Sequence, residues 1–390
     1  MYTEWFKLQR LPFRLRPDPD FLYQAGAMGR ILESLRAAVI TGHGVACLTG
    51  DAGVGKTTLL HALAQQNLGS MTVARVQQPS VTPEELIEAL ATQFGLPPQE
   101  PAGREATARL TRFVAEENGH GRSVLILVDE AHRCSAGTLR ELLVLAARHP
   151  APFIVLAGES ALLSTLAALE TQGLPVHLLA SLQLPRLTAE QIEGYLDFRL
   201  HVAGSAGRTL FEPDTMHEIL RYTGGTPQLI NVLCDNAMAL AEVHNSPRVG
   251  TAEIRDAVQE LKWVEFSART PAAQLDQSGA SKIAPVGRTV VMELEVQQSG
   301  RFVDRLTLKP GRLVVGRAED AHIRLNSPFV SRQHCQIITT ADQCFVEDMG
   351  STNGILVNGR RRRVHCLLPQ DRIVIGDHTL LYTESPAATP

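Results

Sequence analysis

The first residues with types and spacing suited to chemistry are Gly50-Asp51-Ala52-Gly53-Val54-Gly55-Lys56-Thr57. Glycines flank four residues and are followed by Lys and Thr, the pattern of a phosphate loop, or Walker A motif. Each part has a physical task. The glycines let backbone N–H groups curl around phosphate oxygens, and the N-terminus of the following helix adds its positive dipole. Lys56 would reach the β and γ phosphates of ATP, and the Thr57 hydroxyl would ligate Mg2+. Val45, Ala46 and Leu48 precede the loop and a helix-compatible run from Thr58 to Leu63 follows, so the loop is expected between a strand and a helix. The expected nucleotide-binding set is Gly50, Asp51, Ala52, Gly53, Val54, Gly55, Lys56, Thr57, Thr58 and Asp129.

Asp129 and Glu130 close the apolar run Val124-Leu125-Ile126-Leu127-Val128. Such a run reads as a central parallel strand buried on both faces, and carboxylates at its C-terminal end (a Walker B pattern) lie where open α/β sheets bind ligands. Asp129 is the candidate to hold Mg2+, through water, and Glu130 the candidate to orient and deprotonate an attacking water. The plainer alternative is a helix N-terminus that favours carboxylates.

The elements that must position these groups follow from pattern. Helical spacing predicts a helix over 27–40, ended by Gly42 and Gly44, and a short strand over 72–76. Thr82-Pro83-Glu84-Glu85 starts a helix that stops at Gly95, 97–103 is a loop, and a second amphipathic helix covers 107–118. Phe153–Gly158 is another buried strand, with Glu159 at its tip. Beyond Leu187 the pattern turns helical, with helices over 190–203, 213–223, 227–243 and 251–261. Residues 265–288, rich in Ala, Ser, Gln and Pro, read as a flexible linker. Short alternating strands with glycine turns then predict a β-sandwich over 289–384, with 385–390 as a tail. The basic run Arg360–Arg363 reads as the solvated face of a hairpin. The fold class is thus multidomain: an α/β P-loop core with N-terminal extension (1–186), a helical lid (187–264), the linker and an all-β sandwich.

With 390 residues the chain has room for two or three cores, and its 44% apolar and 20% charged residues are ordinary for globular protein. A net charge of −4 gives no bulk pull toward nucleic acid or anionic membrane. Six scattered cysteines read as reduced thiols. No run is long and apolar enough to span a bilayer, and the first residues do not form an export signal, so a cytoplasmic protein is expected, with peripheral attachment at the inner membrane through partners as a further option.

The front 260 or so residues resemble the ExeA/GspA-type AAA+ ATPases of general (type II) secretion and pilus biogenesis in bacteria. The resemblance rests on Leu11-Pro12-Phe13, Pro17-Asp18-Pro19, Phe21-Leu22-Tyr23, the phosphate loop, Val128-Asp129-Glu130-Ala131 and Gly224-Gly225-Thr226-Pro227, with Ile230-Asn231 and Leu233-Cys234-Asp235. It implies ATP and Mg2+ as ligands, catalysis by Lys56 and Glu130, and an ATP-dependent homo-oligomer. Two departures stand out. No Lys or Arg occurs between Ala157 and Pro185, where the family carries an arginine, and Gln228 stands where the lid has its sensor arginine. An arginine finger is worth about 10³ to 10⁵ in turnover, so its loss implies slow hydrolysis with binding retained. Arg148, Arg186 and Arg221 are the candidates to substitute. His132 follows the acidic pair and reads as structural.

The back module resembles a forkhead-associated domain. Gly316-Arg317, Ser331-Arg332-Gln333-His334, Gly350-Ser351-Thr352-Asn353-Gly354 and Asn358-Gly359 carry that resemblance. It implies a phosphothreonine-containing partner protein, with Arg317 and Ser331 on the phosphate, Arg332 as a further contact and Asn353 on the peptide backbone; His334 would be scaffold. Guanidinium and hydroxyl donors suit a dianionic phosphate.

Together these readings describe a phosphorylation-responsive assembly ATPase, with secretion or pilus biogenesis as the setting. Two rivals remain at this point: a nucleotide-dependent switch or scaffold with little hydrolysis, and a DNA-associated ATPase of the transposition-helper kind, which the acidic balance disfavours.

Overall fold

The computed structural model describes residues 2–40, 43–65, 71–77, 82–96, 104–174, 178–269, 290–309, 311–339 and 344–386. The expected loop 97–103, most of the expected linker and the last four residues of the chain lie outside the described residues. In chain order the first half contains α1 (Tyr2–Trp5), α2 (Ala27–Ile40), β1 (Gly44–Thr49), α3 (Lys56–Gln65), β2 (Met71–Val76), α4 (Pro83–Gln93), α5 (Arg104–Gly119) and β3 (Ser123–Val128). Then come α6 (Ala136–Ala146), β4 (Phe153–Gly158), α7 (Ala161–Thr171), β5 (Leu178–Gln183), α8 (Ala189–Val202), α9 (Thr215–Thr223), α10 (Pro227–Val243), α11 (Thr251–Glu260) and α12 (Phe266–Arg269). The chain packs as two units. One is Arg16–Val202 with Thr226–Gln228; the other is Met1–Leu15, Ala203–Gly225 and Leu229–Pro390.

The first unit is an α/β layer structure on a parallel sheet of order β2-β3-β4-β1-β5. Alternate residues of the central strands feed two cores. Val45, Cys47, Ile126, Val128, Ile154 and Leu156 face the side covered by α4, α5, α6 and α7, whereas Ala46, Leu48, Leu125, Leu127, Val155 and Ala157 face α2 and α3. Each fully buried aliphatic side chain stabilises by about 1.5–3 kcal/mol, so β3 and β4, apolar on both faces, can only be central strands. The cap signals act as their chemistry requires. Thr82 Oγ1 accepts the Glu85 N–H at 3.3 Å with Pro83 at the first helical position, and α4 ends before Gly95 at φ +74°. The edge strand β5 buries only alternate residues.

The order of the sheet matters for function. β4 lies between β1, which leads into the phosphate loop, and β3, which leads into the carboxylates, so its C-terminal tip stands between the strand ends that supply both.

The second unit joins helices to a β-sandwich. Its sandwich contains β6 (Val290–Gln298), β7 (Arg301–Leu308), β8 (Gly311–Gly316), β9 (Ile323–Arg324), β10 (Cys335–Thr339) and β11 (Cys344–Asp348), then β12 (Ile355–Val357), β13 (Arg360–Arg362), β14 (Val364–Leu367), β15 (Arg372–Ile375) and β16 (His378–Pro386). They form sheets of order β14-β11-β10-β8-β9 and β13-β12-β15-β16-β6-β7. Leu294, Val296, Ile337, Val346, Leu380 and Tyr382 are among the residues buried between them. In the helical part, Phe13 is fully buried and meets Phe211 edge to face at 5.9 Å.

Sandwich and helices share a buried polar network. Arg363 Nε lies 3.3 Å from Asp235 Oδ1, which also accepts the Tyr2 hydroxyl at 2.5 Å. Glu347 accepts the Leu15 N–H at 3.1 Å, and Asn236 Nδ2 donates to the Val364 carbonyl at 3.2 Å. Arg360 and Arg362 each lie 2.6 Å from Glu260. The basic run is therefore only in part the solvated face its composition suggested: Arg360 and Arg361 are exposed, whereas Arg362 and Arg363 are largely buried against carboxylates of α11 and α10.

Candidate nucleotide and phosphopeptide sites

The phosphate loop turns from β1 into α3 with Gly53 at φ +75° and Gly55 at φ +110°, conformations that side chains with a Cβ adopt only at a cost. Lys56 is buried, and its Nζ donates to the carbonyls of Gly50 at 2.8 Å and Asp51 at 2.9 Å. The ammonium thus satisfies itself on its own loop, where a phosphate would supply better acceptors. Burial holds the Lys56 ammonium below its usual range, against the opposing pull of Glu130 and Asp129.

At the end of β3, Asp129 is buried and accepts twice: from the Thr57 hydroxyl at 2.6 Å and from the Glu130 N–H at 3.0 Å. Burial raises its carboxyl to about 6, with the Thr57 hydrogen bond acting the other way. Burial also raises Glu130. A hydroxyl and a buried carboxylate side by side form an oxygen donor set suited to Mg2+. Glu130 itself takes the left-handed conformation, φ 52° and ψ 32°.

Three further groups border the loop. His132 Nδ1 accepts the Glu159 N–H at 3.2 Å, and its Nε2 lies 3.8 Å from both Glu130 Oε2 and Glu159 Oε1. Arg186 Nη2 pairs with Asp51 at 2.8 Å. The Gln228 N–H donates to the Gly53 carbonyl at 3.1 Å, and a Cβ on Gly53 would meet Gln228 Oε1 at 2.6 Å. Of the three arginines that could substitute for the missing ones, Arg186 borders the loop. Arg148 donates to Thr111 Oγ1 at 3.0 Å, and Arg221 pairs with Glu265 and Glu218.

In the sandwich, the loops at 317–321, 327–332 and 350–354 meet. The Arg317 N–H donates to the Ser331 carbonyl at 3.0 Å and its guanidinium Nε to the Val330 carbonyl at 3.3 Å. Ser331 Oγ accepts the Thr352 N–H at 3.1 Å, and Asn353 Nδ2 donates to the Phe329 carbonyl at 2.8 Å. His334 is fully buried between the Ser331 N–H at 3.0 Å and the Gly354 carbonyl at 3.0 Å, so it ties two of these loops together. Arg317 and Arg332 line one surface depression with Glu319 and Asp320; Asn353 lines another with Phe329, Leu356 and Val374.

Residues 39–166 match the AAA domain family and residues 313–376 the FHA domain family. Over 269 residues the chain is 31% identical to General secretion pathway protein A of Aeromonas hydrophila, an alignment covering 68% of this chain and 49% of that protein. This chain joins an AAA domain, similar to that of General secretion pathway protein A, to an FHA domain. It spans about half the length of the Aeromonas relative. It is also 30% identical over 142 residues to the Oxoglutarate dehydrogenase inhibitor of Corynebacterium efficiens, across 36% of this chain and 94% of that protein. The structure of the Aeropyrum pernix ORC2 protein in its ADPNP-ADP complexes superposes with a TM-score of 0.52 at 20% identity, covering 65% of this chain and 71% of that one, a likeness of fold.

Within the AAA module the structure brings Lys56, Thr57, Asp129 and Glu130 to one end of the sheet. Within the FHA domain it brings Arg317, Ser331, Arg332 and Asn353 to one set of loops. Sequence reasoning gave Glu159 no role and treated His132 as scaffold. The signal for their pairing was present: each follows a buried strand that ends at the acidic edge of the sheet.

Proposed function

We propose that the AAA module binds and hydrolyses ATP with Mg2+, and that the FHA domain recruits it to a phosphothreonine-containing partner. The observation that carries the first half is the 2.6 Å contact between Thr57 Oγ1 and Asp129 Oδ2 beside the folded-back Lys56. These groups fit the nucleotide: Gly53, Val54, Gly55 and Lys56 would hold the phosphates, Thr57 and Asp129 the metal, and Glu130 would take the proton of the attacking water. Bound Mg2+ would neutralise phosphate charge. The second half rests on the convergence of Arg317, Ser331 and Asn353, which offer a guanidinium, a hydroxyl and an amide at adjacent loops. The protein acts in this reading as a phosphorylation-responsive assembly ATPase in the cytoplasm, forming an ATP-dependent homo-oligomer, with secretion or pilus biogenesis as its setting. Similarity to General secretion pathway protein A supports that setting. Among the described residues no helix is long and apolar enough to cross a membrane.

Gln228 favours a second reading. An amide packs on the phosphate loop at the position where the family resemblance implies an arginine, and a module that binds ATP without turning it over would serve as a switch. ATP turnover by the full chain separates the two, with Lys56→Ala and Glu130→Gln as controls and a phosphothreonine peptide added in a parallel series. Turnover above both controls supports the ATPase; tight ATP binding with turnover equal to the controls supports the switch.

A further inference from the structure

We propose that His132 is a positioning residue for Glu130, an inference that rests on the ATPase reading above. Neutral imidazole has one nitrogen that donates and one that accepts. Nδ1 of His132 accepts the Glu159 N–H at 3.2 Å, so in the neutral ring the proton sits on Nε2. That nitrogen lies 3.8 Å from a carboxylate oxygen of Glu130 and 3.8 Å from one of Glu159. The donor therefore stands between the candidate general base and a second carboxylate that would otherwise repel it.

The seat of the ring is built for this. Gly158 ends β4, and a Cβ there would come within 2.9 Å of His132 N and 3.2 Å of both His132 Cβ and Nδ1. Only glycine leaves room for the ring to lie against the strand end, where the next residue's N–H can fix its orientation. The backbone of Glu130 is pinned as well. Its N–H donates to Asp129 Oδ1 at 3.0 Å and its carbonyl accepts the Arg133 N–H at 2.9 Å, in a left-handed conformation that costs about 1–2 kcal/mol for a residue with a side chain. Strain of this kind persists where the surroundings over-determine it. With main chain and neighbouring donor both fixed, the remaining freedom of Glu130 is the swing of its side chain, and His132 Nε2–H, 3.8 Å away, is a donor that this swing can reach, beside the charges of Lys56 and Arg133. His334 binds through both nitrogens, to the Ser331 N–H and the Gly354 carbonyl; Nε2 of His132 instead faces the two carboxylates of Glu130 and Glu159.

The test uses the full chain, comparing wild type, Glu130→Gln, His132→Leu and His132→Gln in steady-state ATP turnover and in nucleotide binding. Glutamine can place an amide N–H close to where Nε2 stands; leucine keeps volume and removes the donor. The expected result is a fall in kcat of about 10–100-fold for His132→Leu with KM and nucleotide affinity unchanged, and recovery of most of that loss in His132→Gln. Wild-type turnover above Glu130→Gln, with His132→Leu equal to wild type or His132→Gln no better than leucine, overturns the positioning role alone. Wild-type turnover no higher than Glu130→Gln removes the ATPase reading and the role with it. A measurement independent of turnover is the 15N long-range NMR spectrum of the ring, in which the Nε2–H tautomer supports the assignment and the Nδ1–H tautomer refutes it.

Discussion

Arg363 and Asp235 form a charge pair at 3.3 Å, in which the carboxylate side chain is only 3% exposed and the guanidinium 15%. Tyr2 and Glu347 complete the cluster, and the neighbouring carboxylates push the Arg363 guanidinium further into its charged form than burial alone would allow. The FHA domain is therefore packed on the helical segment of its own unit through a fixed interface.

That burial decides what removing one partner does. Asp235→Ala leaves a buried arginine with Glu347 at 3.8 Å as its nearest carboxylate, and breaking such a pair costs about 3–5 kcal/mol. Arg360→Ala removes an ion pair whose arginine is 67% exposed, a change expected to cost at most about 1 kcal/mol. Thermal and urea unfolding followed by tryptophan fluorescence, with Trp263 buried beside this segment, should rank the two in that order. Equal effects would show that the cluster does not carry the interface.

Asp129 gives the pH dependence. Its folded-state carboxyl is raised from 3.8 to about 6, so the folded protein holds this proton more tightly than the unfolded chain between those values. The stabilisation from that proton is fully present below about pH 4 and is lost as pH rises through about 6, a change on the order of 3 kcal/mol. At neutral pH the ligand-free protein thus carries an unfavourable buried charge where the metal would bind. Asp129→Asn is expected to raise the melting temperature of the nucleotide-free protein at pH 7.5, since an amide can still accept from the Glu130 N–H and donate to Thr57 Oγ1, and to abolish Mg2+-dependent ATP affinity. In the wild type that affinity should fall as pH drops through about 6. A flat affinity between pH 5 and 8 would separate Asp129 from the metal.

The phosphopeptide loops make different demands on their residues. Arg317→Ala removes a guanidinium from an exposed depression, and loss of a hydrogen bond to a charged group costs about 1.5–3 kcal/mol, or roughly 10- to 150-fold in peptide affinity. His334→Ala opens the tie between Ser331 and Gly354 and should lower domain stability together with binding. Fluorescence anisotropy with a phosphothreonine peptide, read beside the melting curve of each variant, distinguishes a lost ligand contact from a collapsed loop. Unchanged affinity in a folded Arg317→Ala protein would remove Arg317 from the site.

What was legible in the sequence was local. The phosphate loop is contiguous, α4 announces both its ends through Thr82-Pro83 and Gly95, and β3 and β4 are apolar on both faces because both faces are buried. The span 136–183 was less legible beyond β4. β5 is a half-buried edge strand, with Leu178 packed against one core and Ala180 and Leu182 against the other, and α6 and α7 carry no boundary signal as explicit as Thr82-Pro83. The rest depended on which strands are neighbours. His132 and Glu159 meet because β4 lies beside β3, and no spacing between them in the chain shows it. The run Arg360–Arg363 looked solvated because its partners, Glu260 and Asp235, lie a hundred residues or more upstream.

Gln228 is the position where one side chain separates the two functional readings. Its N–H already donates to the Gly53 carbonyl and its amide lies over the phosphate loop, so its backbone stands where a longer cationic side chain could extend past the loop toward bound phosphate. Arg186, a cation that borders the loop, is paired with Asp51. Gln228→Arg should therefore raise turnover by about tenfold or more, a small part of the 10³ to 10⁵ that a fully placed arginine can supply. Single-turnover hydrolysis with excess protein reads the chemical step apart from product release. A rise in that rate with unchanged ATP affinity would mean that the native amide holds hydrolysis slow, while tighter ATP binding with no rise would mean that the arginine reaches the nucleotide only in its ground state.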